Sequence, residues 1–155
     1  MHFKFSPCLL VAVLVLLAAC SSSPVAQPDE SMVASRIIDG DTIEVTDAGG
    51  FTEEVRLIGI DTPERDECGF KEAGARLLDL ILNSDVLLVT GGTDNRDRYK
   101  RLLRYVDIGE IDVGLVLIQE GFAIARYDSR DGYPQNDRES EYVKADSESP
   151  SFCKS

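Results

Sequence analysis

The sequence predicts a mainly β domain of the α+β class, a five-stranded barrel carrying about three helices. Three observations carry this. Five short apolar or β-branched runs are separated by turn-forming steps, an amphipathic stretch follows the third run, and 155 residues suit one domain. Val33 to Ile38 is rich in β-branched residues and ends at Asp39-Gly40, a step that predicts a hairpin. Thr42 to Thr46 is the returning strand, Ala48-Gly49-Gly50 the next turn, and Glu54 to Ile60 the third strand. Phe70, Ala73, Leu77, Leu80 and Ile81 share one face of a helix over Gly69 to Leu82, which Gly74 weakens slightly. Asp85 to Thr90 and Leu102 to Ile108 are the last two strands, joined by the polar loop Gly91 to Tyr99. Asp112 is placed to cap a helix that runs to Glu120 and stops at Gly121. Glu139 to Ala145 is a short final helix. Five strands with a helix after the third suit an OB-type barrel better than a sandwich.

The N-terminus reads differently. Lys4 precedes an apolar run of 11 residues, Leu9 to Ala19. Spanning a bilayer takes about 20 apolar residues, so residues 1–19 read as a secretory signal peptide. Leu17-Ala18-Ala19-Cys20 resembles the lipobox of bacterial lipoproteins, in which cleavage precedes a cysteine that is then lipidated; the alternative is an ordinary signal with a chance cysteine. Residues 20–31 are polar and contain Pro, as a tether between lipid and domain would be, leaving 32–155 as the folded domain. The expected location is the cell envelope, with the protein exported, held on a membrane through lipid on Cys20, and monomeric. With Cys8 in the leader and Cys20 lipidated, Cys68 and Cys153 remain, an even pair expected to form a disulfide in an oxidising compartment, the alternative being two free thiols.

The formal net charge is −12, and loss of Lys4 with the leader makes it more negative still. A basic footprint for nucleic acid is therefore absent from the composition. A polyanion would be repelled at long range, so its binding requires local arginines and bound cations. The only histidine, His2, lies in the leader, which excludes histidine catalysis and His-ligated zinc in the mature chain.

Three segments carry chemistry: Asp39-Gly40-Asp41-Thr42, Arg56 to Glu64 (RLIGIDTPE) and Asp97 to Arg101 (DRYKR). Their carboxylates suit a hard cation such as Ca²⁺, and their arginines suit phosphate oxygens through a bidentate fork that lysine lacks. Each has a plainer reading. Asp39-Gly40 is first a turn, Thr62-Pro63-Glu64 could open a helix, Arg56 could be an exposed strand residue, and Arg96 to Arg104 a solvated charged face. Arg56 and Asp61 are five apart, which strict alternation puts on opposite faces; a bulge at Gly59 is expected to turn both inward.

Taken in order, IIDGDTIEV, VRLIGIDTPE and DRYKRLLRYV closely resemble the staphylococcal nuclease (thermonuclease) family over about residues 33 to 127. The resemblance implies an OB-fold endonuclease that hydrolyses DNA, and RNA as well, to 3′-phosphate products with Ca²⁺ as cofactor. It implies that Asp41, Asp61 and the Thr62 carbonyl hold the metal. Glu64 would act as general base or orient the attacking water, and Arg56 and Arg101 would bind the phosphate undergoing reaction. Arg98 and Tyr99 would contact the terminal phosphate of a bound nucleotide, and Tyr127 would lie near its base. Single-stranded or frayed substrate is expected, because stacking needs exposed bases. The chain departs from the family in four places. Only Arg65 to Cys68 separate Glu64 from the helix, Lys100 stands where glycine is common, Trp is absent, and Asp128 to Asp137 differs in length, leaving open whether Tyr133 also meets a base. Two other readings compete: a non-catalytic OB-fold surface lipoprotein that binds oligonucleotide, oligosaccharide or protein, and a Ca²⁺-binding structural module resting on acidic Asp137 to Glu148.

Overall fold

The structure is a computed structural model that describes residues 32–92, 94–150 and 153. The expected signal peptide, the tether and Cys20 lie outside the described residues. The strands are β1 (Met32–Ile37), β2 (Thr42–Thr46), β3 (Thr52–Leu57), β4 (Ile60–Asp61), β5 (Asp85–Val89), β6 (Leu102–Ile108), β7 (Ile111–Asp112) and β8 (Ile124–Ala125). The helices are α1 (Phe70–Ile81), α2 (Val113–Gln119) and α3 (Glu139–Glu148).

Antiparallel pairing runs β3-β2-β1-β5-β6, and a parallel pairing of β3 with β6 closes the sheet into a five-stranded barrel. This is the OB-type barrel expected from the sequence. Closure needs curvature, and β1 supplies some through a bulge. Ser35 has no cross-strand partner between the pairs Ala34–Val45 and Arg36–Glu44, and its hydroxyl donates to the Glu44 carbonyl. Period-two burial fills the interior with Ile43, Val45, Val55, Leu57, Val86 and Leu88. Helix α1 adds Leu77 and Ile81 to the same core, and α2 adds Val113, Leu117 and Ile118. Fully burying one such Leu or Ile stabilises the fold by about 1.5–3 kcal/mol. The Asp112 carboxylate caps α2, accepting from Leu115 N at 3.0 Å.

Three local expectations change. The third strand does not run through to Ile60. It ends at Leu57, and Gly59, at φ 77°, reverses the chain into β4, which pairs with β8. A left-handed glycine turn, rather than a bulge, thus brings Asp61 round to the side of Arg56. At Asp39-Gly40 the connection is wider than a two-residue turn, since both Ile38 N and Asp39 N donate to the Thr42 carbonyl. Gly40 is not left-handed. Its need for glycine is steric, because a Cβ there would sit 2.6 Å from Thr62 Oγ1 and 2.8 Å from Ala73 Cβ. Gly40→Ala is therefore expected to destabilise the domain by about 1–3 kcal/mol, read by chemical denaturation. A change within error would show that Thr62 and α1 yield freely.

Helix α3 also runs further than expected, to Glu148, and it is tied to the barrel by a polar network. Arg138 forms a fork onto Asp107 at 2.6 and 2.7 Å and reaches Asp112 at 2.7 Å. The Tyr142 hydroxyl donates to Asp112, and the Tyr105 hydroxyl to Asn136. The Tyr142 ring lies 3.1 Å from where a Cβ on Gly59 would be, so α3 backs the turn that presents Asp61.

Candidate functional site

Asp41 enters β2 almost fully buried, at 6% exposure. Both of its oxygens are taken. Oδ1 meets Arg56 Nε at 3.0 Å and accepts from Thr42 Oγ1, while Oδ2 accepts from Thr62 N at 3.0 Å and Thr62 Oγ1 at 2.9 Å. Burial pushes the Asp41 carboxyl up, the Arg56 charge opposes this, and nearby Asp39 adds to it. Thr62 therefore serves as a clamp on Asp41 rather than as a helix cap, and no helix starts at residues 62–64.

Arg56 sits on β3 opposite Thr42 of β2 and Leu103 of β6. Its guanidinium bridges Asp41 and Asp61, reaching Asp61 Oδ1 at 3.4 Å, and donates to the Ile60 carbonyl at 3.1 Å. Asp61 Oδ1 also accepts from the Tyr127 hydroxyl at 3.3 Å. Tyr127 has a left-handed backbone, φ 58°, held by its N–H on Asp131, and its ring lies 5.6 Å from the Arg56 guanidinium. Burial and the Asp61 charge push the Tyr127 phenol up, keeping it a donor.

Arg101 comes from a turn that Asp97 organises. Asp97 Oδ1 accepts from Tyr99 N at 2.8 Å and Arg101 N at 3.0 Å, and Oδ2 holds Arg101 Nε at 2.7 Å. Burial raises the Asp97 carboxyl, but the Arg101 bonds outweigh it and hold the group below its ordinary range. Arg101 Nη1 then reaches Thr42 Oγ1 at 3.2 Å, so one hydroxyl links Arg101 to Asp41. Arg98 donates to the exposed Tyr99 hydroxyl at 2.6 Å. Lys100 adopts φ 76° within this turn, which explains why glycine suits the position. Lys100→Gly is expected to raise stability by about 1 kcal/mol through relief of that strain, measured by denaturant unfolding. A loss of stability would mean that the left-handed backbone carries little strain.

Glu64 is exposed at the rim, its N–H bonded to Glu67 Oε2 at 2.8 Å. Cys68, four residues on, is joined to Cys153 by a disulfide. A single cleft of about 680 Å³ is lined by Asp41, Arg56, Glu64, Arg98, Arg101 and Tyr127, with Tyr99 on the same wall. Asp61 and Thr62 are bonded to this lining, Asp61 to Arg56 at 3.4 Å and Thr62 N to Asp41 at 3.0 Å. Cys20 is outside the described residues. All nine catalytic, metal and substrate positions expected from the sequence thus cluster at one end of the barrel. The sequence reading gave Asp39 a turn and assigned no individual role to Asp97 or Thr42. Only Asp97 left a signal, a short acceptor four residues before an arginine at the start of a turn.

The donor set can be tested against a cation. Among the described residues no three Asp, Glu, His or Cys side chains form a ready metal cage. Two carboxylates, Asp41 and Asp61, are nonetheless drawn together on Arg56, and Thr62 meets Asp41 through its N–H and hydroxyl; carboxylate, hydroxyl and carbonyl oxygens are all hard donors. These residues fit a hard divalent ion.

The family model described as staphylococcal nuclease homologue matches residues 54–150. The chain is 34% identical over 114 residues to a thermonuclease of Staphylococcus intermedius, covering 70% of this chain and 64% of that protein. It is 29% identical over 116 residues to an uncharacterized endonuclease of Haemophilus influenzae, covering 75% and 61%. It is 33% identical over 103 residues to the endonuclease YncB of Bacillus subtilis, covering 63% and 48%. The chain thus spans less than two-thirds of the length of these relatives. The matched segment carries Arg56, Asp61, Glu64 and Arg101 on a closed five-stranded barrel, and the chain belongs to the staphylococcal nuclease family.

Proposed function

We propose that the protein is a Ca²⁺-dependent nuclease that hydrolyses phosphodiester bonds of single-stranded or frayed DNA, and of RNA, leaving 3′-phosphates. The observation that carries this reading is the convergence of Asp41, Arg56, Glu64 and Arg101 on one cleft. The names of the relatives, thermonuclease and endonuclease, support it.

Asp41, Asp61 and the Thr62 carbonyl would hold the cation. When bound, it supplies positive charge that draws in the phosphate and offsets charge developing on its oxygens. Arg56 and Arg101 bind those oxygens and stabilise the transition state, in a geometry fixed in advance by Thr42 and Asp97. Glu64 faces the cleft from a short loop and takes a proton from the attacking water, or orients it. Water adds to phosphorus and gives up a proton, the bond from phosphorus to the 5′-oxygen breaks, and that oxygen takes a proton from solvent and leaves as a hydroxyl.

Electrostatics supports the need for a cation. Four arginines of the cleft (56, 96, 98, 101) face five carboxylates (Asp39, Asp41, Glu64, Asp94, Asp97). With Asp61, which is paired with Arg56, the site carries two more negative than positive groups, and a divalent ion offsets that excess. The direct test incubates the full chain with single-stranded DNA in Ca²⁺ or in excess chelator. Cleavage in Ca²⁺ alone supports the reading. A folded protein that binds DNA but never cleaves it would favour the non-catalytic binding lipoprotein instead.

The same proposal places the protein outside the cytoplasm as a monomer, anchored by lipid on Cys20. Incorporation of labelled palmitate that is lost in Cys20→Ser supports that placement, and equal labelling of both removes it.

A further inference from the structure

The cleft holds two tyrosines on one short loop, and the structure gives them different partners. Tyr127 is engaged from several directions. Its hydroxyl bonds Asp61, Arg56 lies against its ring, and Tyr133 packs edge-on at 5.7 Å between centroids. Its backbone is held in a left-handed conformation by Asp131, which also pairs with Arg126 at 3.0 Å. A ring bound this way to a metal-fitting carboxylate is poorly free to follow a nucleobase.

Tyr133 differs. It lines the same cleft and is 53% exposed. Its N–H donates to the Asp128 carbonyl at 3.1 Å, at the end of a 3-10 turn over Ser129–Asp131. That turn is anchored by the buried Asp128, whose carboxylate is held by Arg130 at 2.6 Å. Glu139 of α3 accepts from Ser129 N at 3.1 Å and also takes the Ser129 hydroxyl. Tyr133 is therefore an accessible aromatic ring on a braced loop, which suits stacking because little ordering remains to be done on binding.

We infer that the two tyrosines divide the work: Tyr127 is a positioning residue for Asp61, and Tyr133 presents the ring on which an unpaired nucleobase stacks. This rests on the nuclease reading. A hydroxyl that fixes a ligating carboxylate acts on cation affinity, whereas a stacking ring acts on bases whatever the cation does.

The test uses the full chain carrying Glu64→Gln, so that oligonucleotides survive. Ca²⁺ affinity is measured by calorimetry and by displacement of Tb³⁺, whose emission tyrosines sensitise. Binding is measured in Ca²⁺ with a fluorescent oligothymidylate and with an abasic strand of equal length. Tyr127→Phe is expected to weaken Ca²⁺ about tenfold and to leave the ratio of thymidylate to abasic affinity unchanged. Tyr133→Leu is expected to weaken oligothymidylate about tenfold while Ca²⁺ and abasic affinity stay as they were. Unchanged Ca²⁺ affinity in Tyr127→Phe, or equal loss of both strands in Tyr133→Leu, overturns the division. If the parent protein binds Ca²⁺ and both strands equally well, the stacking role alone falls. If it binds neither Ca²⁺ nor DNA, the nuclease reading falls first and the division with it.

Discussion

Glu64→Gln is expected to lower the single-turnover rate on single-stranded DNA by about 10²–10⁴-fold, the range for removing one positioned proton acceptor. The substitution keeps the size of the side chain and removes only its basicity. Glu64 is exposed, and its hydrogen bonds to Glu67 run through its backbone N–H and carbonyl, so the fold loses little. Ca²⁺ affinity and the melting temperature should hold while the rate falls. That separation is the value of the residue. Arg56→Ala would be harder to read, since Arg56 neutralises the buried Asp41, and removing one partner of such a pair costs about 3–5 kcal/mol of stability. A Glu64→Gln rate within threefold of the parent would remove Glu64 from the chemistry.

The second large effect concerns stability. Cys68→Ser with Cys153→Ser is expected to destabilise the domain by about 4 kcal/mol, because the disulfide closes a loop with a sequence separation of 85 and so restricts the unfolded chain. For a domain of this size that lowers Tm by about 15 °C. Reduction of the parent protein should reproduce the shift. The bond also has a local consequence. Cys68 lies between Glu64 and α1, in a turn where Glu67 N donates to the Glu64 carbonyl at 2.9 Å. Freeing the C-terminal tail thus releases one restraint on the loop that carries Glu64. Alkylation of both thiols without reductant would show that the bond does not form in the protein.

Much of the fold was legible because it is periodic. Ala73, Leu77 and Ile81 declare the buried face of α1, the alternation in β5 declares its inward residues, and Asp112 marks the start of α2. What could not be read is what depends on one backbone angle or one distant contact. The pairing of β4 with β8 involves two residues on each strand, too few to show a period. The turn that brings Asp61 to Arg56 depends on Gly59 being left-handed, and a strand-like sequence conceals it. Gly40 looks like a turn residue, but Thr62 and Ala73, far along the chain, exclude a side chain there. The site follows the same rule. The chemical type of most of these side chains was written in three segments, while the parts of Asp97 and Thr42 emerged only when the fold brought them to Arg101.

Catalysis by attack of water on phosphorus with loss of the 5′-oxygen is the central claim, and one measurement addresses it directly. A defined single-stranded oligonucleotide is digested by the full chain with Ca²⁺ in ¹⁸O-water, and the ends are identified by mass spectrometry. The account predicts 5′-hydroxyl ends, with 3′-phosphate ends carrying an oxygen from solvent. Products bearing 5′-phosphates, or an uncut strand in the presence of folded, Ca²⁺-loaded protein, would contradict it.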